Sequence, residues 1–462
     1  MSNCFDKLLK SDFSTFIGKT FSTVDPGALY LPNWHIELIA EYLEAVRRSE
    51  ITRLIINMPP RSLKSVCVSV AWPAWLLGQD PRSRIITSSY ASSLSIKHSL
   101  DCRLVLNSPW YREIFPKTTL TRDQNEKHKF MTTQRGYRFA TSVGGSTLGE
   151  GGNFLIIDDP LNPLQAMNKQ WRNHINGWFE HTFATRLDDK HKGAIVLVMQ
   201  RLHQHDMTGY LLSKPGWQHL CLPAVALKAG FYDLGNVKKI REHGELLHPM
   251  RESIQLIERA KGELGSAAFA SQYQQQPLAE DGNMVRSWWF GRYKSVPENI
   301  ERRVQSWDTA IKNGDAHDAS VCLTFAESNG RCYLLDASLM RLEYPDLKKA
   351  FYALVKRWEP QAILIEDRAS GQQLLQDIHH ETTLPVIAIN PKHDKITRFA
   401  AVSALIEAGK VFLPEQAPWL ADFESEIFAF PGGNHDDQVD ALTQYLDWLR
   451  ASVWERLRIR RI

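Results

Sequence analysis

The sequence predicts an α/β protein of two domains, with a parallel-rich sheet in the first half and a mixed sheet in the second. Three observations predict this. From Thr52 to about Leu227, short apolar runs alternate with helical stretches. Runs that are apolar on both faces suit a sheet covered by helices on both sides. The segment Gln276-Pro277-Leu278-Ala279-Glu280-Asp281-Gly282-Asn283 carries chain breakers and few large apolar groups, as a linker does. Beyond it, three strand patterns in a meander give way to strands alternating with helices.

Each element follows from a local pattern. In the first half the strands are Arg53-Leu54-Ile55-Ile56, Arg84-Ile85-Ile86, Phe154-Leu155-Ile156-Ile157 and Ala194-Ile195-Val196-Leu197-Val198, with a helix from Val66 to Leu77. A Gly- and charge-bearing connection runs from Pro223 to Pro249. Glu252 to Gln276 reads as one or two helices, broken around Gly262 to Gly265. The second half opens with a strand from Arg303 to Ala310. A hairpin follows, Ser320 to Ala326 and Arg331 to Asp336, joined through Ser328-Asn329-Gly330. Asn-Gly between two β-rich runs is a strong hairpin signal. Then come a helix (Tyr344 to Trp358), a strand (Ala362 to Glu366), a helix (Gly371 to His380), a strand (Pro385 to Ile389), a helix (Lys395 to Ala408), a strand (Val411 to Leu413) and helices to the end. The expected organisation is a first domain over 1–275, including a helical connection over 228–275. A linker over 276–300, a second domain over 301–448 and a basic tail over 449–462 complete it.

Composition narrows the function classes. The chain has 462 residues, too many for one ordinary domain. Apolar residues make up 43% and charged residues 23%, which excludes a disordered chain or a coiled coil. The longest apolar stretch, Val66 to Gly78, is interrupted by Ser69 and Pro73 and is too short to cross a bilayer, so no membrane partner is expected. The N-terminus lacks a basic start followed by an apolar run, so no secretory signal is expected. Six cysteines lie far apart without a CxxC pair, which argues against a zinc ribbon or a disulfide framework and fits a reducing cytoplasm. With 55 basic against 52 acidic residues, a nucleic-acid partner must be argued from local features. The tail arginines Arg450, Arg456, Arg458, Arg460 and Arg461 read as a solvated terminal helix.

Two constellations carry chemistry. In the first, strand Leu54 to Asn57 runs into Met58-Pro59-Pro60-Arg61-Ser62-Leu63-Lys64-Ser65 and then a helix. A strand, a tight loop, Lys-Ser and a helix are what a phosphate-binding loop needs, because backbone N–H groups and the helix N-terminus face the phosphates. Lys64 would reach the β- and γ-phosphates and Ser65 would ligate Mg²⁺. Met58 and Leu63 stand where the usual pattern has glycines. Strand Phe154 to Ile157 then ends in Asp158-Asp159, suited to supporting Mg²⁺ and polarising an attacking water respectively. At the tip of the strand from Ala194, Gln200 is placed to sense the γ-phosphate. Trp34 and His35 open a helix and are either adenine-stacking or core residues.

In the second constellation, Asp308 lies late in the first strand of the meander and Glu366 ends a later strand. Asp436, Asp437 and Asp440 open the last helix. Like charges that close need cations to offset their repulsion. Two Mg²⁺ or Mn²⁺ about 3.5–4 Å apart would clamp the attacking and leaving oxygens of a phosphodiester. Which of Asp436, Asp437 and Asp440 is the main ligand stays open. A zinc reading through His317, His379, His380, His393 and His435 lacks metal-ligand spacing. The strand–helix order matches the RNase H-like fold.

With a P-loop of unusual sequence followed by RNase H-like carboxylates, the chain resembles the large terminase subunits of tailed bacteriophages and prophages over nearly its whole length. The resemblance rests on Pro59-Pro60-Arg61-Ser62-Leu63-Lys64-Ser65, Ile156-Ile157-Asp158-Asp159-Pro160 and Val198-Met199-Gln200-Arg201-Leu202-His203. It rests also on Tyr273-Gln274-Gln275-Gln276-Pro277, Ser306-Trp307-Asp308-Thr309-Ala310, Leu364-Ile365-Glu366-Asp367-Arg368 and His435-Asp436-Asp437-Gln438-Val439-Asp440. It implies an ASCE-type P-loop ATPase followed by an RNase H-like nuclease. In that picture Arg61, Ser62, Lys64 and Ser65 meet the nucleotide, Asp158 meets the metal, and Asp159 is the base where many relatives have Glu. Gln200 stands at the motif coupling hydrolysis to movement. Glu150 stands where relatives often carry a basic residue, leaving Arg138 and Arg186 as candidate arginine fingers. The implied function is ATP-driven packaging of double-stranded DNA into procapsids and metal-dependent cutting of concatemers. The implied partners are a portal protein, a small terminase subunit and further copies in a ring, all in the cytoplasm of the bacterial host. The rival readings are an integrase- or transposase-type strand-transfer enzyme and an inactive assembly factor.

Overall fold

The computed structural model describes residues 2–145, 149–277, 284–309, 319–368, 370–432 and 435–459. The chain forms two compact units, Met1–Glu280 and Asp281–Ile462. Several sequence expectations lie outside the described residues: the end of the first meander strand at Ala310, His317, most of the breaker segment at 278–283, and Arg460 and Arg461.

The first unit contains β1 (Arg53–Asn57), β2 (Arg84–Ser89), β3 (Leu120–Asn125), β4 (Lys129–Thr132), β5 (Tyr137–Ser142), β6 (Phe154–Asp158), β7 (Ala194–Met199) and β8 (Gln218–Cys221). They form one sheet in the order β3-β4-β5-β2-β6-β7-β1-β8. The pairs from β5 to β8 are parallel, and β3-β4-β5 form an antiparallel edge. Strand periodicity of two sends alternate residues to opposite faces. Leu54, Ile56, Ile156, Val196 and Val198 enter one core, while Ile55, Leu155, Ile157, Ile195 and Leu197 enter the other. Double-sided burial is why these runs carry no polar alternation.

The helix expected from Val66 to Leu77 has a defect in its middle. Val66–Ala71 is wound as a π-turn, and Trp72–Gln79 continues as α-helix. Pro73 explains the break. It has no N–H to give and its ring crowds the carbonyl four residues back, that of Ser69. The amide of Trp72 instead donates to Cys67, five residues back. The freed Ser69 carbonyl accepts from Arg138 Nη2 at 3.1 Å.

Beyond β8 the connection is partly ordered as a hairpin, β9 (Gly230–Leu234) and β10 (Val237–Arg241). Helices Ile254–Leu264 and Ser266–Gln272 follow, separated by Gly265 at φ 79°.

The second unit contains β11 (Gly291–Tyr293), β12 (Arg302–Asp308), β13 (Ser320–Ser328), β14 (Arg331–Met340), β15 (Ala362–Glu366), β16 (Val386–Ile389) and β17 (Val411–Pro414). Their order is β11-β17-β14-β13-β12-β15-β16. The meander β12-β13-β14 is antiparallel, and β15 and β16 extend it in parallel from β12. Asn329 and Gly330 both take positive φ, as the two-residue hairpin turn requires.

One expectation changes. Part of the stretch read as a linker over 276–300 belongs to the second core. Val285 and Phe290 are buried there, and Gly291–Tyr293 pairs with β17. A three-residue strand flanked by single apolar anchors is too short to give a periodic signal.

Candidate active sites

In the first unit, β1 leads into the loop over residues 58–65. Arg61 and Leu63 take φ of 62° and 65°, a left-handed backbone normally left to glycine. The loop therefore adopts glycine-like geometry without glycine, and Leu63 is held by packing on the core. Ser62 is buried in the same loop. Strand β7 lies between β1 and β6, and Asp158 pairs in register with Val198.

Lys64 Nζ lies 2.9 Å from Asp159 Oδ2, with only 9% of the lysine side chain exposed. Asp158 is fully buried and accepts from Ser65 Oγ at 3.1 Å and Ser69 Oγ at 2.7 Å. Burial pushes both carboxyls above the usual range, and the Lys64 ammonium pulls them back. The backbone amide of Gln200 donates to Asp159 Oδ1 at 3.4 Å. Lysine, serine, two carboxylates and the tip of β7 thus converge on one point.

Some of this was not read from sequence. Ser69 and His98 back Asp158, His98 Nδ1 lying 3.4 Å from it. Burial, with Arg138 and Lys97 nearby, lowers the His98 pKa to about 4, so the ring is neutral. The spacing of Ser65 and Ser69, one helical turn, was the available signal for the second hydroxyl. Arg138 has no exposed surface and lies behind Asp158 in its own domain, which does not suit an arginine that must reach a neighbour. Arg186 is partly exposed and donates to the Thr182 carbonyl and Thr185 Oγ1. Glu150 accepts from Lys129 at 2.6 Å. Trp34 packs on Tyr232 with ring centroids 5.2 Å apart. His35 is buried against His248, and burial, then His248, lowers its pKa to about 3.

In the second unit, Asp308 and Glu366 end adjacent parallel strands, with Trp307 and Ile365 in register just before them. Helix Asp437–Ile459 is fixed across both strands. Ser306 Oγ donates to the Ala441 carbonyl at 2.8 Å. Gln444 Nε2 donates to Ser306 Oγ at 3.0 Å and to the Trp307 and Leu364 carbonyls, both at 3.3 Å. Gln444 follows Asp437 by seven residues and so shares its helix face. That spacing was legible, but its buried partners were not. Gly371 lets the next helix start close to Glu366. A Cβ there would stand 1.9 Å from the Glu366 carbonyl oxygen.

The acids feel one another. Burial, then Asp440, Glu366 and Asp437, pushes Asp308 up to about 8. Burial, then Glu426 and Asp436, pushes Asp437 up to about 6. Glu366 is raised by burial, with Arg398 opposing. Lys395 Nζ lies 2.7 Å from Asp436 and 2.6 Å from Asp440, and Arg398 lies 2.7 Å from Asp440. Among the described residues, no group of three or more His, Cys, Asp or Glu is drawn together to hold a metal ion. The donor chemistry still fits a hard divalent cation: carboxylate oxygens whose proton affinity is raised first by burial and then by neighbouring carboxylates.

Residues 305–447 match the family model of the terminase RNaseH-like domain. This stretch, within the second unit, is similar to the RNaseH-like domain of terminases. No curated protein matches the sequence. Among solved structures, the large terminase of the thermophilic bacteriophage D6E aligns with a TM-score of 0.55 at 12% identity, covering 91% of this chain and 99% of that one. The same D6E protein in complex with ADP aligns with a TM-score of 0.51 at 12% identity, covering 90% and 98%. With ATP-gamma-S the values are 0.50, 12%, 89% and 98%. These likenesses establish the fold over both units. The RNaseH-like domain therefore follows an α/β domain in the order found in a large terminase.

Proposed function

We propose that the chain is the large subunit of a viral DNA-packaging motor. The first domain hydrolyses ATP to drive double-stranded DNA into a procapsid, and the RNaseH-like domain cuts concatemeric DNA. The observation that supports this best is the presence of two separate charged centres in one chain, Lys64 with Asp158 and Asp159, and Asp308 with Glu366 and Asp437.

In the first centre, ATP occupies the loop over 58–65, with Arg61, Ser62 and Lys64 at its phosphates and Trp34 and His35 toward the base. Ser65 and Asp158 would hold Mg²⁺. Lys64 leaves Asp159 for the γ-phosphate, where its charge stabilises the transition state. Freed of the ammonium, Asp159 accepts the proton of the attacking water. Gln200, tied through its amide to Asp159, carries the change along β7.

In the second centre, Asp308, Glu366 and Asp437 would hold two Mg²⁺ or Mn²⁺, with Asp436 beside them. Bound there, such ions would activate water and offset the charge on the phosphodiester. Gln444 and Ser306 keep the helix-borne carboxylate over the strand-borne pair. A portal protein, a small terminase subunit and further copies in a ring on the procapsid are the partners, and the cytoplasm of the bacterial host is the place. Among the described residues no helix is long and apolar enough to cross a membrane.

Purified protein incubated with ATP, Mg²⁺ or Mn²⁺ and plasmid DNA tests both activities at once. Phosphate release and DNA breaks are expected together. Strand joining without ATP turnover would favour a strand-transfer enzyme, and neither activity would favour an inactive assembly factor.

A further inference from the structure

We propose that Lys395 is a built-in counter-cation of the carboxylate cluster, holding Asp436 and Asp440 as an ion-paired flank and thereby weakening divalent-ion binding at Asp308, Glu366 and Asp437. The inference rests on the nuclease reading and deepens it.

The five acids are not in equivalent surroundings. Asp436 and Asp440 are four residues apart at the start of the last helix, so both fall on one face and repel each other. Lys395 Nζ lies against both, 2.7 Å from Asp436 Oδ1 and 2.6 Å from Asp440 Oδ2. The other oxygen of Asp440 accepts from Arg398 Nη2 at 2.7 Å. Both oxygens of Asp440 are therefore engaged by fixed cations, and only 6% of its side chain is exposed. A divalent ion would have to expel Lys395 or Arg398 to use that carboxylate. Asp308 and Asp437 are different. Asp308 is raised first by burial and then by the charges of Asp440, Glu366 and Asp437, with Lys395 the opposing charge.

Lys395 and Arg398 lie three residues apart on helix Lys395–Glu407 and so present both charges to the same neighbour. The positive charge of Lys395 has two consequences. It steadies the start of the last helix, where Asp436 and Asp437 are neighbours. It also repels any divalent ion approaching Asp308, Glu366 and Asp437, so it sets the affinity of the site. Lys395 is thus a positioning residue, while Asp440 is a partner of Lys395 and Arg398 and not a metal ligand.

The test is Mn²⁺ binding to the full chain without nucleotide, measured by titration calorimetry, for wild type, Lys395→Gln, Lys395→Arg, Asp440→Asn and Asp308→Asn. Removing the positive charge that offsets these carboxylates should tighten Mn²⁺ binding roughly tenfold in Lys395→Gln. Lys395→Arg keeps the charge and should match wild type. Asp440→Asn should keep the wild-type number of bound ions, whereas Asp308→Asn should lose at least one. Unchanged or weaker binding by folded Lys395→Gln overturns the inference. If that variant does not fold, loss of an ion in Asp440→Asn overturns it instead. Wild-type protein that takes up no Mn²⁺ refutes the nuclease reading itself, and this inference with it. Normal uptake with no effect of Lys395 refutes this inference alone.

Discussion

Asp308→Asn should abolish DNA cutting and, with divalent ions chelated, stabilise the second domain at alkaline pH. The carboxyl of Asp308 is raised from 3.8 to about 8, first by burial and then by Asp440, Glu366 and Asp437. The folded chain therefore holds this proton more tightly than the unfolded chain. Stability is at its fullest below the unfolded value and is lost as pH rises towards the folded one. At about 1.4 kcal/mol for each of roughly four pH units, the loss has an upper bound of ~6 kcal/mol. The repulsion is shared among several acids that can each take up a proton, so ~2–3 kcal/mol is the realistic size. Asparagine has no charge to bury and should remove that slope. The assay is urea unfolding in EDTA at about pH 5 and about pH 9, followed by fluorescence and compared with the wild type. The difference between the two proteins should grow from about pH 5 to about pH 9, and the variant should be the more stable near pH 9. Saturating Mn²⁺ should restore wild-type stability at high pH, because ions bound only by the folded state stabilise it. Parallel pH dependences for the two proteins, or an Asn variant weaker near pH 9, would refute the claim that Asp308 is forced among like charges.

Three further outcomes are expected. Lys64→Ala should lower phosphate release by ~10²-fold or more while plasmid cutting persists, since the lysine belongs to the other domain; wild-type turnover in a phosphate-release assay would remove Lys64 from the site. Asp159→Asn should bind a fluorescent ATP analogue but hydrolyse ATP at least ~10²-fold more slowly, because an amide cannot take the proton of water; unimpaired turnover would place the base elsewhere. Gly371→Ala should force the end of β15 away from the new Cβ, costing ~1–3 kcal/mol in urea unfolding of the second domain and displacing Glu366 enough to reduce cutting in Mn²⁺; a variant that folds and cuts like wild type would show that the helix start yields instead.

Much of the architecture was legible because it depends on short-range rules. Residues 54–56 and 154–157 sit in the middle of a sheet with cores on both faces, so these positions are apolar without a break and the run stands out. The hairpin at Asn329-Gly330 is required by a turn that needs positive φ twice. Edge elements are quieter. In β3 (Leu120–Asn125) most side chains are exposed, and in β8 (Gln218–Cys221) only Leu220 is buried, so neither carries an apolar period. The sites divide in the same way. A carboxylate at the tip of an apolar strand is visible in sequence, as with Asp158 and Glu366, because the strand marks where its polar end must lie. What neutralises a carboxylate is not visible. Lys395 meets acids 41 and 45 residues further along the chain, and Arg138 supports the Ser69 carbonyl, freed by Pro73, 69 residues before it. No periodicity links such partners, since they are brought together only when two helices, or a helix and a strand, pack. The counter-charges are therefore the part of this molecule that folding alone reveals. They also decide which of several adjacent acids remain available to a divalent ion: Asp437 and Asp440 lie less than one turn apart, yet only Asp440 is gripped by two cations.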